Sequence, residues 1–461
     1  MKVALYNLGC RVNQYEAEAL AEKFRQADYE IVDFNKKADI YLVNSCAVTT
    51  SAASKSRKVA RRAKRRGGPD SRVIMIGCYS QISPEEVAAI EEVDYYVTTD
   101  DKDDVVKLLE REIFAAEKQT SFSVDVSKKK KELGNRANYS QINNFPDFSL
   151  QQVKQRTRAN LKIQDGCDQF CSYCIIPLAR GKPRSKPPAR IKEEFANLLR
   201  SDIKEFILTG IHLGAYGKDL NSNENLASLV SQLLEYRGDF RLRLSSLEIG
   251  EVDSQLLQLM ASSPKLCNHL HLPLQSGSNK ILQAMNRPYN REEYKATIED
   301  IKEKLPQIAL TTDVMVGFPG ESEKDFQQTC KLVEKVGFSR LHVFPFSPRS
   351  GTKAAKMEEK VHSKEKNRRV EILQKIGQQL SYEYYQNFVD TPLIALLEKQ
   401  KRDNEYAGYT SNYIRVKVNK TDVAESGDAE LANSFVEVKF KELRKSGELP
   451  ATITSTAVSL T

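Results

Sequence analysis

No apolar run in this 461-residue chain approaches the roughly 20 residues needed to cross a bilayer. The amino-terminal stretch MKVALYNLGC meets Arg11, Asn13 and Glu16 too soon to make the apolar core of a signal peptide. A cytoplasmic chain with no membrane partner is therefore expected, in a compartment where thiols stay reduced and cysteine clusters signal metal or catalysis more often than disulfides. Ligands of one kind are also short. In DGCDQFCSYCIIPLARGKPR, residues 165–184, Cys167, Cys171 and Cys174 are spaced by four and three, yet no other cysteine or histidine lies within 35 residues on either side, His212 being the nearest downstream. A closed tetrahedral metal site takes four protein ligands and disulfides take cysteines in pairs, so neither explains a set of three. Acidic residues are missing from KSRKVARRAKRRGG, residues 55–68, which carries eight Lys or Arg. A charge run usually marks a solvated helix face, but without interspersed acids this one points to an RNA backbone. The whole chain has 70 Lys plus Arg against 62 Asp plus Glu, net +8, a mild excess that makes nucleic acid a candidate partner.

The length is too great for one hydrophobic core. Residues 1–117 alternate short apolar runs with helix-like segments, the pattern of a doubly wound α/β domain with a mostly parallel sheet. Residues 118–157 lose that periodicity and read as a linker. Residues 158–362 carry a second α/β series with six strand candidates, at 161–164, 206–209, 242–245, 270–274, 312–316 and 341–346. Eight would close a barrel, so six imply a partial (β/α)6 barrel. Residues 363–390 read as one connecting helix, with Leu373, Ile376, Leu380, Tyr384 and Phe388 at intervals of three and four. In 391–455 the period changes to two, as in a small antiparallel β-barrel. The fold class is α/β with that β-barrel appended.

Cys167, Cys171 and Cys174 follow the first strand of the second series. Three thiolates on one loop can hold three irons of a 4Fe-4S cluster and leave the fourth open for a substrate or cofactor. A second trio is dispersed. Cys10 follows VALYNLG, Cys46 follows IYLVNS and Cys78 follows VIMIG, so each lies at the carboxyl end of a strand candidate. Parallel sheets gather those ends on one edge, where open α/β sheets bind ligands. The trio is thus expected to converge and to suit a second cluster with one open iron.

The C-x3-C-x2-C spacing, Tyr173 before the last cysteine and the six-strand series resemble the radical S-adenosylmethionine superfamily. LGCRVNQYEAE, NSCAVTTSAASKSR, GCYSQ and the terminal GYTSNYIRV narrow the resemblance, along nearly the whole chain, to its methylthiotransferases. That family implies an auxiliary cluster in the first domain, a radical-SAM barrel carrying the cluster that cleaves S-adenosylmethionine, and a TRAM-like RNA-binding barrel at the end. It also implies replacement of a C–H bond by C–S–CH3, with the protein supplying position and exclusion of water. By the same resemblance, Tyr173 and the strand-end residues Thr209, Gly210, Ser246, Glu248, Gln275 and Gly317 hold S-adenosylmethionine. VGFPGES lacks phosphate-loop spacing and reads as a turn before a helix. His269, His271 and His342 read as strand residues with satisfied rings, and Cys267 and Cys330 as packing residues. Tyr406, Tyr409 and Tyr413, with Arg415 and Lys417, are aromatics and cations on strands, suited to stacking bases and holding phosphates.

GCRVNQ most resembles the subgroup acting on N6-threonylcarbamoyladenosine at position 37 of the tRNA anticodon stem-loop. The alternatives are an isopentenyladenosine substrate, an aspartate of a ribosomal protein, or a non-catalytic RNA-binding iron-sulfur protein, whose radical trio would lack a cysteine. The resemblance implies an electron donor such as flavodoxin or ferredoxin, and a monomer is expected. A threonylcarbamoyl group carries a carboxylate, which a guanidinium fork matches. Arg11, beside Cys10, is the first candidate for that contact, followed by Arg180 and Arg184.

Overall fold

The computed structural model describes residues 1–461 except 118–130, 134–137, 152–155, 222, 399–404, 420–430, 441–448, 457 and 461. It divides into two compact units, residues 1–151, 164–186 and 347–355 in the first, and 152–163, 187–346 and 356–461 in the second. No described helix is long and apolar enough to cross a membrane.

In the first unit, IYLVNS and RVIMIG are apolar almost throughout, as strands covered on both faces must be. They become the strands Ile40–Ser45 and Arg72–Gly77 at the centre of a parallel sheet. Lys2–Asn7 and then Glu30–Val32 extend the sheet on one side, and Tyr95–Val97 and Lys131–Leu133 on the other. The last strand falls within the stretch read as a linker, where Ile142, Phe148 and Leu150 are also buried. Strand order reverses between Lys2–Asn7 and Ile40–Ser45, a topological switch point. The helix Arg11–Gln26 buries Val12, Tyr15, Ala19, Leu20 and Phe24 along one stripe. The basic run forms the helix Thr50–Gly67, whose first turn is capped by the Thr49 hydroxyl accepting from the Ala52 amide at 3.1 Å.

The second unit holds the six-strand series as two parallel three-stranded sheets. One contains Arg158–Lys162, Glu205–Thr209 and Arg241–Leu244, the other His269–His271, Ala309–Val316 and Arg340–Pro345. Bridges at Leu242 with Leu266 and Ser246 with His271 carry the curved array from one to the other, as a partial barrel requires. Phe206 turns outward onto Phe195 of the helix Pro188–Arg200, ring centroids 4.3 Å apart, so its strand neighbours Glu205 and Ile207 share the inner face. The connecting helix is Ser363–Gln386; Gly377 lets it approach strand Arg340–Pro345, since a Cβ there would lie 3.1 Å from the Leu341 side chain.

The terminal segment is a mostly antiparallel sheet of Leu393–Leu397, Glu405–Thr410, Arg415–Asn419, Phe435–Lys439 and Thr452–Ser455, with the short strand Leu449–Pro450 at one edge. Its core includes Ala395, Tyr406, Val416, Val436 and Phe440. Glu405–Thr410 does not stand out in the period-two pattern, because its Gly408 and Ala407 dilute the alternation.

Candidate iron-sulfur and substrate site

Cys10, Cys46 and Cys78 leave the ends of three adjacent strands, with Asn7 in register with Asn44 and Ser45 with Gly77. Glycines turn the chain sharply into two of these positions. Gly9 has φ +130°, and a Cβ on it would lie 3.2 Å from the Cys46 Cβ; Gly77 has φ +93°, where a Cβ would meet the Ser45 carbonyl at 2.6 Å. The convergence is also electrostatic. Burial pushes the Cys10 thiol up, Arg180 opposes that, and Cys78 adds to it. Burial and then Cys78 push Cys46 up to about 11. Cys46 and Cys78 are buried and Cys10 is exposed at the rim; three thiols that repel one another once ionised are a donor set for a soft, multiply charged group, which stabilises thiolates by binding them.

The Cys167–Cys174 loop belongs to the same compact unit. Gln164–Asp165 pairs antiparallel with Arg184–Ser185, and the Cys167 amide donates to the Gly181 carbonyl at 3.1 Å, closing the loop at its base. Gly166, φ +75°, is required there because a Cβ would collide with the Lys182 carbonyl at 1.9 Å. A turn brings the Cys174 amide to the Cys171 carbonyl at 2.9 Å, after which Ile176–Arg180 is helical. Phe170 adopts φ +46°, a conformation side chains rarely take, and its ring is 43% exposed with Tyr139 against it at 5.1 Å. Tyr173 is half-buried. Cys78 packs with Ala47 and with Ile175 and Ala179, residues that closely follow Cys174 in the chain. Beside it, Ile82, Tyr139, Ile175, Leu178 and Gly351 help line a cavity of about 390 Å³.

Between the trios lies a charge network that the sequence does not reveal. Arg180 is fully buried; its Nη1 donates to Glu16 Oε1 and Asp165 Oδ1, both at 2.9 Å, and its Nη2 to Asn13 Oδ1 at 2.5 Å. Lys102 Nζ reaches Glu16 Oε2 at 2.5 Å with both side chains fully buried. Asn13 accepts from the Cys10 thiol at 3.7 Å and donates to the carbonyls of Leu8 and Ser45, tying the helix to the cysteine loops. Within GCRVNQYE the structural work thus falls to Asn13 and Glu16. Their spacing of three on one helix face was the available signal.

The arginine candidates separate accordingly. Arg180 has both terminal nitrogens engaged, whereas Arg184 donates only through Nη1, to the carbonyls of Ile142 and Arg180 at 3.0 and 2.9 Å; its buried Nε and Nη2 have no hydrogen-bond partner among the described residues, Nη2 lying 3.5 Å from Asp165 Oδ2. Arg11 is exposed in the first turn of its helix, where the macrodipole disfavours a cation.

In the second unit, Thr209 is buried, Gly210 half-buried and Ser246 exposed at their strand ends. Gln275 has φ +62° and a buried Oε1 without a protein partner among the described residues. Glu248 is instead paired with Arg287, and the Gly317 amide donates to Glu321 Oε2 at 2.5 Å, so those two are engaged internally. Burial raises Glu248 despite Arg287. VGFPGES does precede a helix, Glu323–Val336, with Ser322 and Asp325 forming a capping box. Cys267 is buried and Cys330 half-buried, as packing residues are. His212 pairs with Glu251 at 2.5 Å.

Two expectations need correction. The basic helix does have acidic partners, supplied by distant sequence: Arg57 meets Glu86, Arg61 meets Glu92 and Lys64 meets Asp94. Lys55, Lys58 and Arg65 stay exposed. The tyrosines of the terminal sheet are not free stacking platforms. Tyr406 is in the core, Tyr409 and Tyr413 stack on each other at 4.5 Å, and Arg243 lies 3.3 Å from the Tyr413 ring centre. Lys417 pairs with Glu405 at 3.4 Å, while Arg415 is exposed.

Residues 161–333 match the family model described as Radical SAM superfamily, and residues 2–98 match uncharacterized protein family UPF0004. The chain is 39% identical to threonylcarbamoyladenosine tRNA methylthiotransferase MtaB of Bacillus subtilis, over 90% of this chain and 89% of that one. The corresponding Aquifex aeolicus protein is 39% identical over 90% and 96%. The chain belongs to the radical S-adenosylmethionine methylthiotransferase family. Within it, tRNA-2-methylthio-N(6)-dimethylallyladenosine synthase of Natranaerobius thermophilus is 33% identical over 94% of this chain and 92% of its own length. Among solved structures, the radical S-adenosylmethionine methyltransferase TsrM of Kitasatospora setae, with cobalamin and a [4Fe-4S] cluster bound, aligns with TM-score 0.56 at 13% identity, covering 77% of each chain. That likeness is one of fold.

Proposed function

We propose that this methylthiotransferase converts N6-threonylcarbamoyladenosine at position 37 of tRNA to its 2-methylthio derivative. The observation that carries the reading is that both cysteine trios belong to one compact unit, in which Cys78 packs with Ile175 and Ala179 just beyond Cys174. The reading assigns Cys167, Cys171 and Cys174 to the cluster that binds and cleaves S-adenosylmethionine, and Cys10, Cys46 and Cys78 to an auxiliary cluster. When bound, these groups supply radical abstraction of the substrate hydrogen and a methylated sulfur to take its place. The chain supplies position. Asn13 orients the Cys10 loop and Arg180 sets a permanent positive charge near Cys10 and Cys78, a counter-charge for thiolates. Thr209, Gly210, Ser246 and Gln275 remain the strand-end candidates for the cofactor, with Tyr173 beside the loop. Arg11 remains the candidate for the substrate carboxylate. Residues 1–117, 158–362 and 391–455 are read as the auxiliary, radical and RNA-binding parts, acting as a cytoplasmic monomer with a flavodoxin or ferredoxin as donor.

Mass spectrometry of tRNA nucleosides from a strain lacking the gene tests this. The 2-methylthio form of threonylcarbamoyladenosine should vanish while the unmethylthiolated nucleoside accumulates, and a plasmid copy should restore it. Loss of the isopentenyl derivative instead would reassign the substrate. An unchanged nucleoside profile would sink the reading. In the purified protein, changing Cys10, Cys46 and Cys78 to Ala should retain 5′-deoxyadenosine formation and abolish methylthiolation, whereas changing Cys167, Cys171 and Cys174 should abolish both.

A further inference from the structure

Three neighbouring strands of the second unit run parallel in register, with His271 opposite Thr311 and Asp313 opposite His342. Alternate residues of a strand share a face, so His271, Asp313 and His342 project together. One ligand atom from each lies within 4.8 Å of the other two. The separations themselves are informative. His271 Nε2 is 3.4 Å from Asp313 Oδ2, and His342 Nδ1 is 3.3 Å from Asp313 Oδ1. Both exceed the usual N–H···O range of roughly 2.7–3.2 Å. Each imidazole faces a different oxygen of the carboxylate, which leaves one nitrogen on either side of it for an ion that the three groups would share.

The surroundings fit the same role. His271 Nδ1 meets the Thr311 hydroxyl at 2.9 Å, so the ring is held with Nε2 toward the carboxylate. An outer partner that fixes the free nitrogen of a histidine is the usual support of a metal ligand. The group is reachable from solvent, since the side chains of His342 and Asp313 are 51% and 29% exposed. Two imidazoles and a carboxylate without a thiolate suit a single divalent ion rather than a cluster.

We propose that His271, Asp313 and His342 bind one divalent transition ion such as zinc, separately from either cysteine trio. With neutral imidazoles and one carboxylate, the loaded site carries a net positive charge, and at least one coordination position stays open for water or an oxyanion. The inference stands on the second unit alone, so it survives or fails independently of the tRNA reading.

The test uses the protein with its clusters reconstituted. After equilibrium dialysis against buffered zinc, metal analysis should show one zinc per chain beyond the iron, and zinc-edge X-ray absorption should show only nitrogen and oxygen neighbours. Asp313→Asn and His342→Ala should each weaken zinc binding at least tenfold, and Thr311→Val by about tenfold through the loss of orientation. Iron content and circular dichroism should stay unchanged in all three. His342 lies on an exposed strand edge, so its variant keeps the test valid if Asp313→Asn folds poorly. A sulfur-containing zinc shell, no saturable zinc, or variants with undiminished affinity would each overturn the proposal.

Discussion

Arg180 decides more than any other single side chain in the first unit. Its guanidinium bridges Glu16 and Asp165 inside protein, and deleting it leaves Glu16 with Lys102 and Asp165 with the more distant Arg184. Breaking such a pair costs about 3–5 kcal/mol, far more than removing both sides together. Arg180→Met should therefore lower the urea midpoint and the iron content, and Glu16→Gln should lower the midpoint too, because it takes the carboxylate from the buried Lys102 as well as from Arg180. Equal stability of Arg180→Met and wild type would show that the network is incidental. In the second unit, Glu205 plays the converse part. Burial would raise its carboxyl, but Arg241, Arg243 and Arg158 outweigh that and hold it at about 2. An acid depressed on folding gives stability that is complete above its unfolded value, about 4.3, and is lost as pH falls toward the folded one. The contribution is roughly 3 kcal/mol. Urea midpoints of wild type should fall more steeply than those of Glu205→Gln between about pH 4.5 and 2, with the variant already weaker at pH 7. Parallel curves would refute the assignment.

At the scale of elements, the helix Thr50–Gly67 is half structural and half available. Exposed ion pairs such as Arg61 with Glu92 contribute little to stability, but they do neutralise the cations that make them. Lys55, Lys58 and Arg65 are exposed and make no ion pair with an acid among the described residues. Replacing those three by Ala should weaken tRNA binding and lower the salt slope by about 0.7–0.9 for each phosphate left without its cation. Replacing Arg57, Arg61 and Lys64 should change it less. If the two triple variants have the same salt slope as wild type, the helix is a solvated surface and RNA docks elsewhere.

At the scale of the whole molecule, the terminal sheet is built into its unit. Arg158 bonds the Tyr413 hydroxyl at 3.0 Å and pairs with Glu398, Arg241 donates to the Tyr409 carbonyl at 3.0 Å, and the Asn268 amide donates to Ser411. Deleting residues 391–461 should therefore lower the thermal midpoint of the second unit as well as any RNA affinity, because Arg158, Arg241 and Arg243 lose their cover. Tyr413→Ala should cost about 1–2 kcal/mol from the cation–π contact alone. A truncated chain with an unchanged midpoint would restore the picture of an independent appendage.

Apolar runs bounded by glycine and cysteine determined the strands, and the chain direction of a parallel sheet then determined that Cys10, Cys46 and Cys78 meet at one edge. That inference needs only local periodicity and one topological rule, so it was legible in the sequence. The linked spacing of Cys167, Cys171 and Cys174 was legible for the same reason, since all three lie on one loop. The pairings were not. Arg180 with Glu16 spans 164 residues and Asp313 with His342 joins two strands. A charge has no periodicity, so its partner is fixed only when strand register and helix packing bring one acid rather than another within reach. The same holds for the tyrosines of the terminal sheet and the arginines of the basic helix. Their residue types suit RNA, but tertiary packing supplied nearer partners.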